Sequence, residues 1–534
     1  MRLALSAILG ILLPVAPQCA DAAAAPKPRP PNFLFILADD LGFTDIGCYG
    51  GEIPTPQLDA LAADGLRFTQ FYNTARCWPT RAALMTGYYP QQTRMDPHAG
   101  RLPAWALTLP QRLRPLGYRS YQAGKWHVMG APKARADGGF DHTYVLEDHD
   151  RNFYPRRLVE DDRALPPVAT NAGYYTSIAY ADHLIGSLRE HAAEHADQPF
   201  FAYLAFTVPH FPLQALPEDI ARHRDRYLAG WDAIRQSRWA RATSLGIVNC
   251  PLAPRDWDAF PHWNLSAAEL VRNYGPDEIG LAVAWDSLTP EQRRFQATKM
   301  AIHAAMIDRM DREIGRVLAQ VKAMGEFDNT VIFFASDNGA SAEQLVRGDR
   351  HDPTAPPGSA ATFLCLGPGW SAAANTPFRL HKSWVHEGGI ATPLIVHWPR
   401  GITARGELRH DPGHMIDLVP TLVQLAGGTT VPPTNTPAAP PLPGRSLVPA
   451  FARDGAIERD QLFFNHEHNH ALRVGDWKIV SRRPATNRWA LYNLAVDRSE
   501  QKDLAATDPA RVASMASRWL ELERRYRAEA GPRR

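Results

Sequence analysis

The chain of 534 residues has little cysteine, no excess of either charge and, beyond its first residues, no long apolar run. Its five cysteines show no paired spacing, which argues against a fold held by a disulfide framework. With 58 basic and 56 acidic residues the formal net charge is +2, so we expect no nucleic-acid partner and no polybasic attachment to membranes. No later stretch is long and apolar enough for a transmembrane helix, and we expect no stable membrane anchor.

The first residues have the pattern of a secretory signal peptide. A basic start precedes a short apolar run from Leu3 to Ala16, and small residues continue through Ala25. The apolar run is too short to cross a bilayer, and the pattern is typical of a leader that is cleaved after export. We therefore expect residues 1–25 to be removed and the mature protein to be periplasmic or secreted.

Apolar runs and amphipathic helices alternate along most of the chain. A stripe of apolar residues over Pro290–Met324 predicts a long amphipathic helix. Nearly continuous apolar runs are typical of strands buried on both faces, and four are present: Asn32–Leu37, Phe200–Phe206, Val331–Ser336 and Leu394–Trp398. The alternation indicates an α/β fold with a large, mostly parallel central sheet flanked by helices.

The composition changes at residues 431–444, which are rich in proline and threonine and indicate a linker or loop. Short strand patterns and a final helix from about Pro509 to Arg527 follow. We therefore predict a large domain over residues 30–430 and a smaller C-terminal α+β domain over residues 445–534.

A cysteine in an anion-binding setting stands in the segment Cys77-Trp78-Pro79-Thr80-Arg81. The helical pattern that follows begins at about Pro79 and stops at Gly87, so we expect Cys77 to lie directly in front of a helix N-terminus. Free N–H groups and the helix dipole attract anions there, and Arg81 adds a donor one turn further on. For a lone cysteine a buried structural role is the simpler interpretation; the C-x-P-x-R spacing favours a reactive one.

Carboxylates follow two of the predicted strands. Asp39 and Asp40 come directly after the first apolar run, and Asp337-Asn338-Gly339 follows the third. If these strands lie side by side, three carboxylates and an amide oxygen converge at the edge of the sheet where ligands bind in such folds. That set suits one divalent cation, although a solvated turn is the simpler interpretation for either pair alone.

Cations and histidines occur at three further positions: Lys125 and His127 in G-K-W-H, His210 in P-H-F-P, and Lys382 ahead of His386-Glu387-Gly388-Gly389. Taken singly, each lysine is better explained as a surface residue and each histidine as a hydrogen-bonded one. Their order along the chain, together with the cysteine and the carboxylates, favours a shared site. We interpret His386 and Glu387 as supporting residues.

In this order the motifs D-D-x-G, C-x-P-x-R, G-K-W-H, P-H-x-P, S-D-N-G and K-x-W-x-H-E-G-G resemble those of the sulfatases. The similarity spans nearly all of the mature chain. It is greatest to the bacterial arylsulfatases of the alkaline-phosphatase-like superfamily. The resemblance implies a sulfuric-ester hydrolase in which a formylglycine-generating enzyme converts Cys77 to formylglycine.

The resemblance also implies a role for each motif residue. One Ca²⁺, with Mg²⁺ left open by the ligand types, is bound by the residues Asp39, Asp40, Asp337, Asn338 and the modified Cys77. Arg81 holds the aldehyde hydrate, and Lys125 and Lys382 neutralise the sulfate oxygens. His210, with Lys382, assists the leaving alcohol, and His127 removes a proton from the hydrate.

Two other functions remain open from the sequence. A phosphonate monoester or phosphodiester hydrolase of the same superfamily is the nearest one, and a non-catalytic binder of sulfated glycans is the other if Cys77 stays a thiol. The natural substrate, a small-molecule or glycan sulfate ester, cannot be read from the chain.

A histidine-rich tract, Asn465–His470, resembles a metal-binding segment by composition. Strand alternation would place His466, His468 and His470 on one face. We interpret the tract as structural and predict no second metal there.

Overall fold

The computed structural model describes residues 29–97, 100–170, 172–348, 350–430, 439–483 and 488–531. The predicted signal peptide and residues 431–438 of the predicted linker lie outside the described residues. Among the described helices, none has the length and apolarity that crossing a membrane requires.

The strands of the described residues form two sheets. The eleven strands of the large sheet are β1 Asn32–Asp39, β2 Leu66–Tyr72, β3 Arg119–Gly124, β4 His142–Leu146, β5 Leu158–Glu160, β6 Arg163–Ala164, β7 Phe200–Pro209, β8 Thr330–Ser336, β9 Ala391–His397, β10 Glu407–Arg409 and β11 Gly413–His414. Those of the small sheet are β12 Leu462–His466, β13 Asn469–Val474, β14 Trp477–Ser481 and β15 Ala490–Asn493.

The large sheet has the order β10-β2-β9-β8-β1-β7-β3-β4-β5-β6, and β11 also pairs with β2. β1 lies in its centre, parallel to both β7 and β8. β9 runs antiparallel to β8 and β2, and β5 and β6 form an antiparallel edge. The remaining pairs are parallel, so the predicted α/β class with a mostly parallel sheet is confirmed.

The helices of the described residues are α1 Pro56–Ala63, α2 Cys77–Thr86, α3 Leu109–Leu113, α4 Thr176–Glu194, α5 Pro217–His223, α6 Gly230–Ser244, α7 Ala267–Tyr274, α8 Pro290–Ala323, α9 Gly367–Ala374, α10 Glu387–Ile390, α11 Leu418–Leu425, α12 Val448–Ala452 and α13 Pro509–Ala530. α8 is the predicted long helix. Thr289 caps it by accepting the N–H of Gln292, and Pro290 occupies its first position.

Helices cover both faces of the large sheet. Leu34 and Ile36 of β1 pack into one core, which also contains Met300 and Ile307 of α8. Phe33, Phe35 and Leu37 point to the other core, which contains residues of α2 and α11. Because successive side chains of a strand alternate between faces, a strand whose interior positions are all apolar is buried on both sides.

The small sheet is antiparallel throughout, in the order β12-β13-β14-β15, and α13 packs against it through Trp519 and Tyr526. Trp519 stacks on Phe463 of β12 with ring centroids 5.5 Å apart. A smaller α+β unit therefore follows the large sheet, and the division of the chain at residues 431–444 remains our proposal.

One boundary differs from the prediction. Cys77 is the first residue of α2, and the extended Arg76 is its N-cap. Pro79 lies in the first turn, where its missing N–H would have had no partner within the helix in any case. The predicted end is confirmed, because Gly87 follows α2 with φ 77° and donates its N–H to Ala83.

Candidate active site

The carboxyl ends of β1 and β8 bring Asp39, Asp40, Asp337 and Asn338 together. The two strands are neighbours in parallel register, with Ala38 opposite Ser336. The Nδ2 of Asn338 donates to Oδ1 of Asp40 at 2.6 Å. All four side chains are buried. Because the two strands are adjacent and parallel, the residues that follow them lie at the same edge of the sheet.

The oxygens of this group suit a hard cation. Oδ1 of Asp39 and Oδ1 of Asn338 are buried and accept no hydrogen bond from any of the described residues. Burial is the main cause that raises the pKa of Asp337 and of Asp40, and the neighbouring carboxylates add to it. Asp39, Asp40 and His210 also present ligand atoms that all lie within 4.8 Å of one another. Unpartnered oxygens on crowded carboxylates are what a divalent ion would satisfy.

Three buried cations surround the carboxylates. Nζ of Lys125 lies 2.6 Å from Oδ2 of Asp39. Nζ of Lys382 lies 2.8 Å from Oδ1 of Asp40. Arg81 donates from Nε to Oδ2 of Asp337 at 2.8 Å and from Nη1 to the carbonyl of Lys125 at 2.8 Å. Positive charge is therefore fixed by the same carboxylates that offer oxygens to a metal.

Cys77 lies in the wall of a cavity of about 440 Å³, together with His127, His210 and Lys382. Its side chain is 4% exposed. Burial raises the pKa of the Cys77 thiol, and this outweighs the opposite effect of Lys125 and Lys382. The position at the start of α2 adds free backbone N–H groups to the anion-binding character of the cavity.

Three histidines line this cavity: His127, His149 and His210. The ring of His149 lies between the other two, with centroids 4.9 Å from His127 and 5.7 Å from His210. Burial, followed by nearby cations, holds the pKa of each well below its usual range. Nδ1 of His210 donates to the carbonyl of Phe211, so Nε2 of the neutral ring carries the lone pair.

His149 was missed by the sequence analysis, as were Glu343 and Arg76. Glu343 lies 3.1 Å from Nζ of Lys382 and 3.2 Å from Arg76. Burial raises the pKa of Glu343, but Arg76 and Lys382 outweigh it and hold the pKa below its usual range. The guanidinium of Arg76 lies between the rings of Trp78 and Trp263, 5.3 and 5.1 Å from their centroids. None of these residues stands in a local motif that would have identified it.

His386 and Glu387 lie outside the cavity. The carboxylate of Glu387 accepts hydrogen bonds from Tyr72, Lys478 and Arg498. Close backbone packing joins its loop to the S-D-N-G loop, because a Cβ on Gly339 would lie 1.9 Å from the carbonyl oxygen of Gly388. Glycine is therefore required where the two loops of the site meet.

Residues 31–428 match a family profile described as Sulfatase. Residues 378–524 match a second profile, described as N-sulphoglucosamine sulphohydrolase, C-terminal.

Known proteins are similar over most of this chain. An uncharacterized sulfatase of Schizosaccharomyces pombe is 30% identical over 568 aligned residues, which cover 94% of each chain. The arylsulfatase of Klebsiella aerogenes is 33% identical over 442 residues, 76% of this chain and 89% of the other. The crystal structure of Ps i-CgsB in complex with k-i-k-neocarrahexaose has a TM-score of 0.64 at 23% identity, with 93% of each chain covered, and shares the fold.

Proposed function

Because the chain belongs to the sulfatase family and is a sulfatase, we propose that it releases inorganic sulfate from a sulfate monoester of the arylsulfatase type, with Cys77 converted to formylglycine. The observation that carries the proposal is the position of Cys77. It lies at the start of α2, in one cavity with Lys382, His127 and His210.

The sulfate group would bind where the cations meet α2. Lys125 and Lys382 are buried, and both are bound to carboxylates that fix their ammonium groups. Held in place before the substrate arrives, they can stabilise charge on the sulfate oxygens without reorganising. Arg81, fixed by Asp337, would orient the reacting group at position 77.

The metal would be held by Asp39, Asp40, Asp337, Asn338 and the modified side chain at position 77. Oxygen ligands favour Ca²⁺, and Mg²⁺ accepts the same ligand types. When bound, the ion supplies Lewis-acid polarisation of oxygen at this edge of the sheet. The unpartnered oxygens of Asp39 and Asn338 support this assignment.

Conversion to formylglycine would account for a reactive group at position 77, where the unmodified thiol is poorly placed to ionise. Because burial raises its pKa, the thiol would be a weak nucleophile near neutral pH. A hydrated aldehyde offers two hydroxyls, one to attack sulfur and a second whose deprotonation expels sulfate. The proposal therefore requires a formylglycine-generating enzyme as a maturation partner.

The histidines would handle protons on the two sides of the ester. His127, neutral through burial, can accept a proton from the hydrate. Nε2 of His210 carries the lone pair, since its Nδ1 is committed to the carbonyl of Phe211. It would first take up the proton that the attacking hydroxyl of the hydrate loses and then deliver it to the departing alcohol. Lys382, within the same cavity, would support that role.

The proposed cellular location rests on the signal-peptide pattern of the first residues. A cleaved leader over residues 1–25 would place the mature enzyme in the periplasm or outside the cell. We propose a catalytic domain over residues 30–430 and a C-terminal domain over residues 445–534.

A comparison of ester types tests the proposed function. Purified mature enzyme should hydrolyse nitrophenyl sulfate with a higher kcat/KM than nitrophenyl phenylphosphonate, and the Cys77→Ala variant should hydrolyse neither. A higher kcat/KM on the phosphonate would make the chain a phosphonate hydrolase of the same fold. Binding of sulfated glycans without turnover of any sulfate ester would make it a binding protein.

A further inference from the structure

A turn of the small C-terminal sheet enters the wall of the catalytic cavity. The side chain of Glu467, between β12 and β13, lines the same cavity as Cys77, Arg76 and His210. The proposed mechanism gives this residue no role.

Residues of the larger unit, outside its strands, hold the turn at both of its ends. His466 at the end of β12 binds Asp96, with Nδ1 2.6 Å from Oδ1, and its ring packs against Trp78. Asn469 at the start of β13 donates to the carbonyl of Ser383 at 3.0 Å. Ser383 is the residue after Lys382, so the turn is anchored next to the proposed catalytic lysine.

The histidine-rich tract is therefore a hairpin rather than the continuous strand that the sequence predicted. His466 pairs with Asn469 across the turn, and His468 lies in the turn, so the three histidines do not share one strand face. The prediction of a continuous strand was wrong because the tract is short and lacks the glycine that usually marks a two-residue turn.

Both central residues of the turn have left-handed backbone: φ is 44° at Glu467 and 67° at His468. Asparagine followed by glycine is the usual choice for such a turn, because other residues are strained there. Strained non-glycine residues persist where the surrounding structure holds them, and they concentrate at binding sites. The strained backbone at Glu467 therefore points to a role in binding.

The carboxylate of Glu467 makes no hydrogen bond within the described residues. The nearest cation-forming atom is Nε2 of His466, 3.9 Å away, and the side chain is 27% exposed. Arg76, whose charge Glu467 also faces, is already paired with Glu343. A carboxylate accepts hydrogen bonds only and repels sulfate, so this one must serve a different part of the substrate.

We propose that Glu467 recognises a hydrogen-bond donor, a hydroxyl or an amine, on the alcohol portion of the sulfate ester. The inference rests on the proposed function, since the sulfate must bind beside Cys77. It makes a sugar sulfate or a hydroxylated aryl sulfate a better substrate than an ester without a donor. The C-terminal sheet would then set the preference for the alcohol while the large sheet binds the sulfate.

Two esters that differ by one hydroxyl test this inference. Nitrocatechol sulfate, assayed at a pH low enough to keep its phenol protonated, carries a hydroxyl beside the ester oxygen, and nitrophenyl sulfate does not. The KM ratio is the KM for nitrocatechol sulfate divided by the KM for nitrophenyl sulfate. Because a hydrogen bond to a charged group is strong, its loss in Glu467→Gly should raise this ratio about tenfold or more. Because glycine suits the backbone of the turn, the melting temperature should equal or exceed that of the wild type.

His468→Gly is the matched control, because it relieves the neighbouring left-handed residue, and His468 is exposed. It should leave the KM ratio unchanged. Glucose 6-sulfate and glucosamine 6-sulfate, compared in the same variants, then separate a hydroxyl from an amine as the donor.

An unchanged KM ratio in Glu467→Gly, or an equal change in His468→Gly, would overturn the inference and leave the turn a structural element. Failure of the wild type to hydrolyse either aryl ester, with its aldehyde content verified, would instead overturn the proposed function and the inference with it.

Discussion

The side chains of the candidate site fall into two groups: charged groups fixed by ion pairs, and histidines kept neutral by burial. Lys125, Lys382 and Arg81 each have a carboxylate oxygen within 2.8 Å, which holds the charged group in place. The histidines have no such partner at that distance among the described residues, and burial lowers their pKa values. The proposed function therefore gives the binding of anions to the lysines and Arg81, and the movement of protons chiefly to His127 and His210.

The His210→Ala variant tests the role of the leaving-group acid. A general acid matters most when the departing oxygen is basic, and it contributes about 10²–10⁴-fold. The kcat/KM for alkyl sulfates should fall by that order, while nitrophenyl sulfate should lose far less. The exposed His410, outside the cavity, provides His410→Ala as a control. Equal losses on alkyl and nitrophenyl esters would remove His210 from this role.

The predicted site residues all come from short motifs, whose spacing is visible in the sequence. Asp39 and Asp337 could be associated because each directly follows an apolar strand. His149 and Glu343 could not, since each arrives on a loop whose position depends on distant contacts, such as those of Asp150 with Arg347 and of Glu343 with Arg76.

A buried charged cluster joins the two sheets at the level of the secondary-structure elements. Lys478 of β14 lies 2.9 Å from both Glu387 of α10 and Glu500. Oε2 of Glu500 also accepts the N–H of Glu387 at 2.8 Å. Burial raises the pKa of Glu500 to about 7, and the charge of Glu387 adds to the effect. Glu500 therefore enters the fold most easily with a proton.

Stability should depend on pH through Glu500. Its folded pKa lies above the ordinary carboxyl value, so its contribution is fully present below about pH 4.5 and is lost as pH rises through about 7. The Glu500→Gln variant mimics the protonated form. It should match the wild type at pH 5 and exceed it at pH 8, by on the order of 3 kcal/mol at most.

Denaturant unfolding of both proteins at the two pH values measures this difference. A gap between them that does not change with pH, or a less stable Glu500→Gln at pH 8, would contradict the assignment of the proton to Glu500.

Helices and strands with a clear repeat of apolar residues could be predicted from the sequence. Helix starts and turns, which depend on a few residues each, could not. α8 follows from its apolar stripe and its cap at Thr289. The start of α2 was placed two residues late, because a proline in the first turn need not be the first helical residue. The β12–β13 turn was read as strand, since Glu467 and His468 are not turn-forming residues.

At the scale of the whole molecule, the central position of β1 brings site residues from distant parts of the chain together. The strand lies between β7 and β8, which end near His210 and Asp337 respectively. The apolar runs predicted these strands but not their order, because parallel neighbours are fixed by helices that cross between them. Regions far apart in the chain thus supply one cavity, and the C-terminal sheet supplies part of its wall.

The aldehyde content at position 77, measured together with turnover, tests the central claim most directly. Protein made with and without a formylglycine-generating enzyme provides a series of samples with different extents of conversion. Mass analysis of the peptide that contains position 77, with hydrazide labelling, gives the aldehyde fraction. Turnover of nitrophenyl sulfate should rise in proportion to that fraction and vanish where the thiol is intact. Full sulfatase activity from protein whose Cys77 is an unmodified thiol would contradict the account.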